Sequence, residues 1–531
     1  MEPLRLIMSG AVVGQELAAE FGPLPPSFLP VGTRRLYELQ LEALAGAGGL
    51  HMVLPETFQV PEHDTRRLAE LGVEILPIPE GLRLGEAVVY AINSLGAGEG
   101  PVHILHGDTL IGAPPLDRPD VIVGGPRANE YAWAEMRLED GRVASLETST
   151  AGEDGHEGWP IAAGYFSFGS SLDLLRSVTR MRGDFIAGVN HYLGGHAVEI
   201  VEAGRWLDFG HLQTFFRSRL AVTTARAFNT VRIDGLTARK TSDDRAKIRA
   251  EAHWLNAIPA SVQIHTARLL AHGVDGGKAF YETEYEYLPV VSELFVHGLL
   301  GRASWMRILG ACEALLAACA ADKGEGSADE ALRTLCVDKT LARLERHAGE
   351  TGFPIDKPLR LDGRATPSLL GIAERSAAAL DLKSGRRESV MHGDLCFSNL
   401  LYDSRVRRVR ALDPRGLVGE RPGIYGDLRY DLAKLAHSVV GRYDQIVAGR
   451  YVASERDRDF TLAFEQIAAQ PWLEAGLGEM TVDGVGALST TVRAAMVSLF
   501  LSMIPLHADR PDRQRAFTAN ALRLFLELDA A

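Results

Sequence analysis

The chain has 531 residues, 46% hydrophobic and 24% charged, long enough for two or more cores and apolar enough to fill them. With 56 lysines and arginines against 69 acidic residues, its net charge of −13 argues against a general nucleic-acid or anionic-membrane surface. It leaves room for a nucleotide, whose phosphates need only a few local cations, backbone amides or a metal ion.

The first 130 residues alternate short apolar runs with helical patterns. Residues 4–8, 51–54, 73–76, 102–105 and 121–123 read as buried strands, and Val88, Ala91, Ile92 and Leu95 keep the spacing of a helix face. Such alternation predicts an α/β domain, a mostly parallel sheet with helices on both faces and ligands beyond the carboxyl ends of its strands. The Gly-containing turn Ser9-Gly-Ala-Val-Val-Gly14 follows the first strand, with Gly10 at its start. Leu29-Pro-Val-Gly-Thr-Arg-Arg-Leu36 and Leu84-Gly-Glu-Ala87, which contains Gly85, come next. Gly107-Asp108 closes the fourth strand, and Gly164-Tyr-Phe-Ser-Phe168 and Gly204-Arg-Trp-Leu-Asp-Phe-Gly210 follow farther along the chain.

In their order and spacing these pieces resemble the sugar-phosphate nucleotidylyltransferase family. That resemblance implies a Rossmann-like, GT-A-like sheet domain over residues 1–222. It also implies Asp108 and Asp208 as ligands of the Mg²⁺ that bridges the phosphates of an NTP of unknown base, with Gly10 and Gly85 near the nucleotide. The chain departs from the family's pattern in its cations. Gln15 and Pro26-Ser27 stand where the family carries an Arg and a Lys, and the first lysine is Lys240. Arg34 and Arg35 are the expected substitutes at the α-phosphate, where positive charge lowers the barrier.

A second pattern begins near residue 223. Residues 228–233 and 236–241 flank Asp234-Gly235, a strong hairpin signal. A helix pattern runs on through Trp254, and 285–289 reads as a further strand. From about Arg302 onward the pattern is almost wholly helical except around 390–415. The four cysteines, Cys312, Cys319, Cys336 and Cys396, have neither metal-ligand spacing nor a disulfide framework, so a reducing cytoplasm is expected. No secretory leader is expected at the start. The apolar run 494–506 is broken by Ser498, Ser502 and Pro505, so no membrane span is expected.

The sharpest signal is Val390-Met-His-Gly-Asp-Leu-Cys-Phe-Ser-Asn-Leu-Leu-Tyr402, followed by Arg410-Ala-Leu-Asp-Pro-Arg-Gly416. Phosphoryl transfer to a hydroxyl needs a carboxylate beside the nucleophile and further oxygen ligands for Mg²⁺ on the ATP phosphates. Asp394 and Asn399 lie in one loop, and a hairpin brings Asp413 to them. The motif resembles the aminoglycoside phosphotransferase and choline kinase family, which implies a two-lobed, protein-kinase-like domain over 223–531. By that resemblance Asp394 is the catalytic carboxylate, and Asn399 and Asp413 are metal ligands. His392 holds the loop, and 285–289 is the hinge at adenine. Asp431, near the start of a helix carrying Leu432, Leu435 and Val439, is expected to cap it and brace the loop. A strand Lys240 paired with a helix Glu251 would hold the ATP phosphates.

Together these readings predict a cytoplasmic bifunctional enzyme. Its kinase phosphorylates a small sugar or alcohol, and its nucleotidylyltransferase converts the phosphate into a nucleotide-linked donor for surface glycan. A choline-type kinase and cytidylyltransferase is one alternative. A kinase joined to a catalytically silent nucleotide-binding module is the other.

Overall fold

The computed structural model describes residues 3–96, 98–126, 131–149, 158–223, 231–466 and 470–530. The chain forms two compact units, Met1–Val222 with His297–Leu299, and Thr223–Val296 with Leu300–Ala531.

The first unit is built on nine strands: β1 (Leu4–Met8), β2 (Leu50–Pro55), β3 (Val73–Ile78), β4 (Val102–His106), β5 (Val121–Gly125), β6 (Ala134–Glu139), β7 (Arg142–Thr148), β8 (Ile161–Phe168) and β9 (Glu199–Glu202). They pair in the order β3-β2-β1-β4-β8-β5-β9-β7-β6. The first four are mutually parallel, and β8 runs antiparallel between β4 and β5. From β1 the chain adds strands outward on one side as far as β3. It then returns to place β4 on β1's other side, so the order reverses between β1 and β4, which opens a crevice at their carboxyl ends. Helix α1 (Leu84–Ser94) buries Val88, Ala91 and Ile92 against this sheet, with α2 (Ser171–Arg180) and α3 (Phe185–Leu193) beside it. The five expected strands all form. The antiparallel pair β6 and β7 is not marked by apolar runs, because each strand leaves several residues exposed.

The second unit opens with a four-stranded sheet, β10 (Val231–Ile233), β11 (Thr237–Ser242), β12 (Leu269–Asp275) and β13 (Lys278–Glu284), in the order β10-β11-β13-β12. The Asp234-Gly235 turn is closed by Asp234 Oδ1, which accepts from the amides of Leu236 (3.0 Å) and Thr237 (2.8 Å). Residues 228–230 of the expected first strand lie outside the described residues. Helix α4 (Arg245–Ala257) is capped by Asp244, whose carboxylate accepts from Lys247 N at 3.0 Å. Residues 285–289 follow β13 as irregular extended chain rather than the expected strand, and only Val290 bridges to Leu401.

The helices that follow include α5 (Arg302–Ala321), α6 (Lys339–Thr351), α7 (Leu428–Val439), α8 (Thr490–Met503) and α9 (Pro511–Asp529). The region is less uniformly helical than its sequence suggests. Besides the hairpin β14 (Leu400–Asp403) and β15 (Arg408–Ala411), two hairpins at 359–366 and 451–464 join into a four-stranded sheet. Their turns, Asp362-Gly363 and Asp457-Arg458, have positive φ at both residues (49° and 75°, 50° and 66°), the geometry a two-residue hairpin requires. Among the described residues, Arg302–Ala321 and Thr490–His507 are long and apolar enough to cross a membrane. In α8 an unbroken run of residues from Ala494 to Met503 is buried in the unit, which accounts for the composition.

Asp427, not Asp431, caps α7, accepting from Arg429 N at 2.8 Å. The Arg429 guanidinium is buried between Asp427 (2.9 Å) and Asp329 (2.7 Å), and Asp329 also accepts from Gly385 N at 2.9 Å. Arg429→Met would leave two carboxylates without their counter-ion, a change that costs about 3–5 kcal/mol at buried sites. The expected outcome is a clearly lower urea midpoint for the C-terminal unit's transition, with that of the N-terminal unit unchanged.

Candidate active sites

In the second unit the 390–415 segment brings the expected residues together. Asn399 immediately precedes β14 and Asp413 lies two residues beyond β15, so the hairpin returns the chain to its starting point. There Leu412 N donates to Asn399 O at 2.8 Å. The Asn399 amide nitrogen donates to Asp394 Oδ2 (3.0 Å) and to the Asp394 carbonyl (2.9 Å), which leaves its amide oxygen for a cation. Asp413 sits at φ +54°, a costly conformation for a residue with a side chain. Its carboxylate accepts from Lys240 Nζ (3.2 Å) and Tyr281 OH (2.9 Å). Lys240 also pairs with Glu251 at 2.8 Å, and Lys240 and Tyr281 face each other across β11 and β13. Gly416 (φ +64°) lies where a Cβ would fall 2.3 Å from the Ala250 carbonyl. The Asp-Pro-Arg-Gly turn is thereby pressed onto α4 beside Glu251.

The loop is held from behind. Asp431, fully buried, accepts from the amides of His392 (2.8 Å) and Gly393 (2.7 Å). His392 packs edge-on against Trp254, and burial lowers its pKa to about 4, so the ring is neutral and its Nδ1 accepts from Asp394 N. A residue absent from the sequence-based set, Lys434, lies 2.8 Å from Asp394 Oδ1. Burial opposes ionisation of Asp394, but the Lys434 charge outweighs it and holds the carboxyl below the usual carboxylate range. The same partnership raises the Lys434 ammonium.

In the first unit, a two-stranded ribbon of Thr109–Ile111 and Trp206–Asp208 sets Asp208 opposite Thr109. Phe209 N donates to Asp108 O at 2.8 Å. Both carboxylates converge on Gly210, where a Cβ would fall 2.5 Å from Asp108 and 3.2 Å from Asp208. They line a cleft of about 360 Å³ with Arg83, Gly85, His106, Trp133 and His211. Burial, with Asp208 adding to it, raises the Asp108 pKa, and burial lowers that of His106, whose Nε2 has no hydrogen-bond partner among the described residues. The hydrogen bond to Asp208 raises His211, which stacks on Tyr131 at 3.8 Å between ring centroids.

The expected substitute cations are elsewhere. Arg35 is buried in an ion pair with Asp64 (2.9 Å) and donates to Phe28 O, while Arg34 pairs with Glu38 (3.3 Å) and Glu42 (2.7 Å). Neither lines the cleft, so neither stands where the sequence places a substitute cation. The cleft's arginine is Arg83, which bonds Glu86 (3.0 Å) and the Arg182 carbonyl (2.6 Å). Gly10 is also outside the lining. A Cβ there would meet Ile78 at 2.3 Å, so the glycine serves packing.

Among the described residues no group of three or more His, Cys, Asp and Glu forms a metal cage. Each site instead offers a small, all-oxygen donor set: Asn399 with Asp413, and Asp108 with Asp208. That fits Mg²⁺, which takes one or two carboxylates and completes its shell with water and phosphate.

No family model matches the sequence, nor does any curated protein. Solved structures similar to it include the UTP-bound UGPase of Acinetobacter baumannii (13% identity, 43% of this chain and 95% of that one, TM-score 0.33). HddC of Yersinia pseudotuberculosis is similar at 15% identity over 42% of this chain and all of that one, TM-score 0.31. A thermostable mutant of an aminoglycoside phosphotransferase aligns at 11% identity over 56% of this chain and 90% of that one, TM-score 0.35. The first two align with the N-terminal part and the third with the C-terminal part, the two classes that the sequence resembles.

Proposed function

We propose that the chain is a bifunctional transferase. Residues 223–531 move the γ-phosphoryl group of ATP to a hydroxyl of a small sugar or alcohol. Residues 1–222 then join that phosphate to a nucleotide, supplying a donor for surface glycan in the cytoplasm. The observation that carries the reading is the convergence of Asp394, Asn399, Asp413, Lys240 and Glu251 on one loop-and-hairpin platform. The four cysteines are unpaired and buried, in keeping with a reducing compartment.

The acceptor oxygen attacks the γ-phosphorus, the bond from that phosphorus to the β,γ-bridging oxygen breaks, and ADP leaves. Asp394 orients the hydroxyl and receives its proton. Because Lys434 keeps it a weak base, the proton passes late, once the oxygen–phosphorus bond has begun to form. Lys434 also places a fixed positive charge where the transferring group gathers negative charge. Lys240, oriented by Glu251, holds the α- and β-phosphates. Asn399 and Asp413 would hold Mg²⁺, which would supply charge neutralisation at the phosphates.

The specific observation favouring a silent N-terminal module is the commitment of Arg34 and Arg35 to ion pairs outside the cleft. Pyrophosphate release separates the two readings.

Asp394→Asn is expected to cut ATP-dependent phosphorylation by roughly 10²–10⁴-fold with little loss of stability, checked by ADP formation and thermal unfolding. Near-normal turnover would remove the kinase assignment. In Lys434→Met burial is no longer opposed, so the Asp394 pKa rises. The carboxylate is then lost at a higher pH, and the acid limb of kcat/KM moves up by about one pH unit or more. An unmoved acid limb would separate Lys434 from Asp394. For the N-terminal site, wild type is expected to release pyrophosphate from one of the four NTPs with a sugar or alcohol phosphate. Asp208→Ala should lose this by about 10²-fold while retaining ATP consumption at Asp394. No release by wild type with any NTP would favour the silent module.

A further inference from the structure

Around Tyr430 the helical part of the second unit gathers positive charge that the phosphoryl-transfer residues do not account for. Tyr430 is fully buried one turn before Lys434 on α7, and its hydroxyl accepts from Lys339 Nζ at 2.7 Å. Lys339 opens α6, directly after the π-helical turn Thr334–Asp338, an irregularity frequent at functional sites. Arg343 follows one turn later on the same face and spends one donor on the Ser502 carbonyl (3.1 Å). Arg415 closes the group. Its amide donates to His392 O at 2.8 Å, and its side chain lies against Gly393, where a Cβ would fall 2.7 Å from the arginine's own Cβ.

Lys434 is matched by Asp394, whereas Lys339, Arg343 and Arg415 have no ion-pair partner among the described residues. All three are half-buried, so desolvation has been borne without the pairing that normally offsets it. Their charges act on one another. Burial, with the Arg415 charge beside it, holds Lys339 and Arg343 below their ordinary pKa values. Burial alone would raise the Tyr430 phenol, but Lys339, Arg415 and Lys434 together draw it down. Like charges held close together beside a reacting carboxylate call for an anion, and an arginine fork and an ammonium together suit carboxylate or phosphate oxygens.

We infer that Lys339, Arg343 and Arg415 form the seat for an anionic group on the phosphoryl acceptor, so that the substrate is a hydroxy acid or a hydroxylated phosphate ester. The inference rests on the phosphotransferase reading of this unit and narrows its acceptor. It disfavours choline and other cationic alcohols, which the same charges repel.

The test uses the full chain. ATP consumption is measured with glycerate, glucuronate and glycerol 3-phosphate, and with glycerol, glucose and choline as neutral and cationic counterparts. In parallel, calorimetry measures binding of the same six compounds to protein saturated with Mg²⁺ and a non-hydrolysable ATP analogue, so that the nucleotide's own phosphate site is filled. The expected result is that at least one anionic compound binds or turns over, carboxylate and phosphate members being told apart by which does so. Lys339→Met and Arg343→Met should each weaken that by about tenfold or more, with the KM for ATP unchanged. Turnover of a neutral or cationic alcohol that both variants leave intact would overturn the anion seat while sparing the kinase. Failure of every anion to bind the nucleotide-saturated protein would also overturn it. Failure of wild type to bind the ATP analogue would instead count against the kinase reading.

Discussion

The active-site architecture of the C-terminal unit depends on one buried carboxylate. Asp431 accepts two short hydrogen bonds from consecutive amides of the His-Gly-Asp loop, and burial raises its pKa to about 7. Desolvation of this kind is tolerated only where both carboxylate oxygens find donors. The bonds fix α7 against the loop, and helical geometry then decides what else faces Asp394. Lys434, three residues on, reaches Asp394, and Tyr430, one residue before, meets Lys339. A shift of α7 by one residue would replace both contacts at once, so the loop's brace also sets the chemistry beside it.

The same unit shows how backbone strain is placed. Asp413 occupies the left-handed region and Gly416 approaches the Ala250 carbonyl more closely than any side chain permits. Both features lie between β15 and the chain's return to α4, where the turn must deliver Asp413 to Lys240 and stay clear of Glu251. Strain is sustained there because β14, β15 and α4 over-determine the path. His392 belongs to this scaffold. Neutral and packed on Trp254, it shapes the loop rather than moving protons.

Much of this was legible in the sequence because it depends on local patterning. Parallel strands buried on both faces read as apolar runs, and the Asp234-Gly235 hairpin and the 390–415 platform read from turn chemistry and spacing. The antiparallel strands β6 and β7 were not marked, since half-exposed strands carry no apolar run, although Asp140 and Gly141 between them both have positive φ. Asp362-Gly363 carries the same hairpin signal as Asp234-Gly235 but stands within a region of helical pattern that outweighed it, and the Asp457-Arg458 turn has no glycine to mark it. Lys434 was legible only through register, as the residue one turn beyond Asp431 on the same face. The place of Arg35 was not legible, because its partner Asp64 lies 29 residues away, whereas Arg34 pairs locally with Glu38, four residues on.

The two candidate sites would neutralise phosphate in different ways. The C-terminal site brings Lys240, Lys434 and the Lys339–Arg343–Arg415 group to its loop, so an anion there would meet fixed protein cations. The N-terminal cleft carries Asp108, Asp184 and Asp208 against Arg83 and two histidines, one of them, His106, held neutral by burial. A phosphorylated acceptor and a nucleotide brought together there would face an excess of negative charge, which a divalent ion between Asp108 and Asp208 would have to offset. Binding of anions would thus be set by side chains at the C-terminal site and by the metal at the N-terminal site. Chelation should weaken anion binding far more in the first unit than at the Lys339 group of the second.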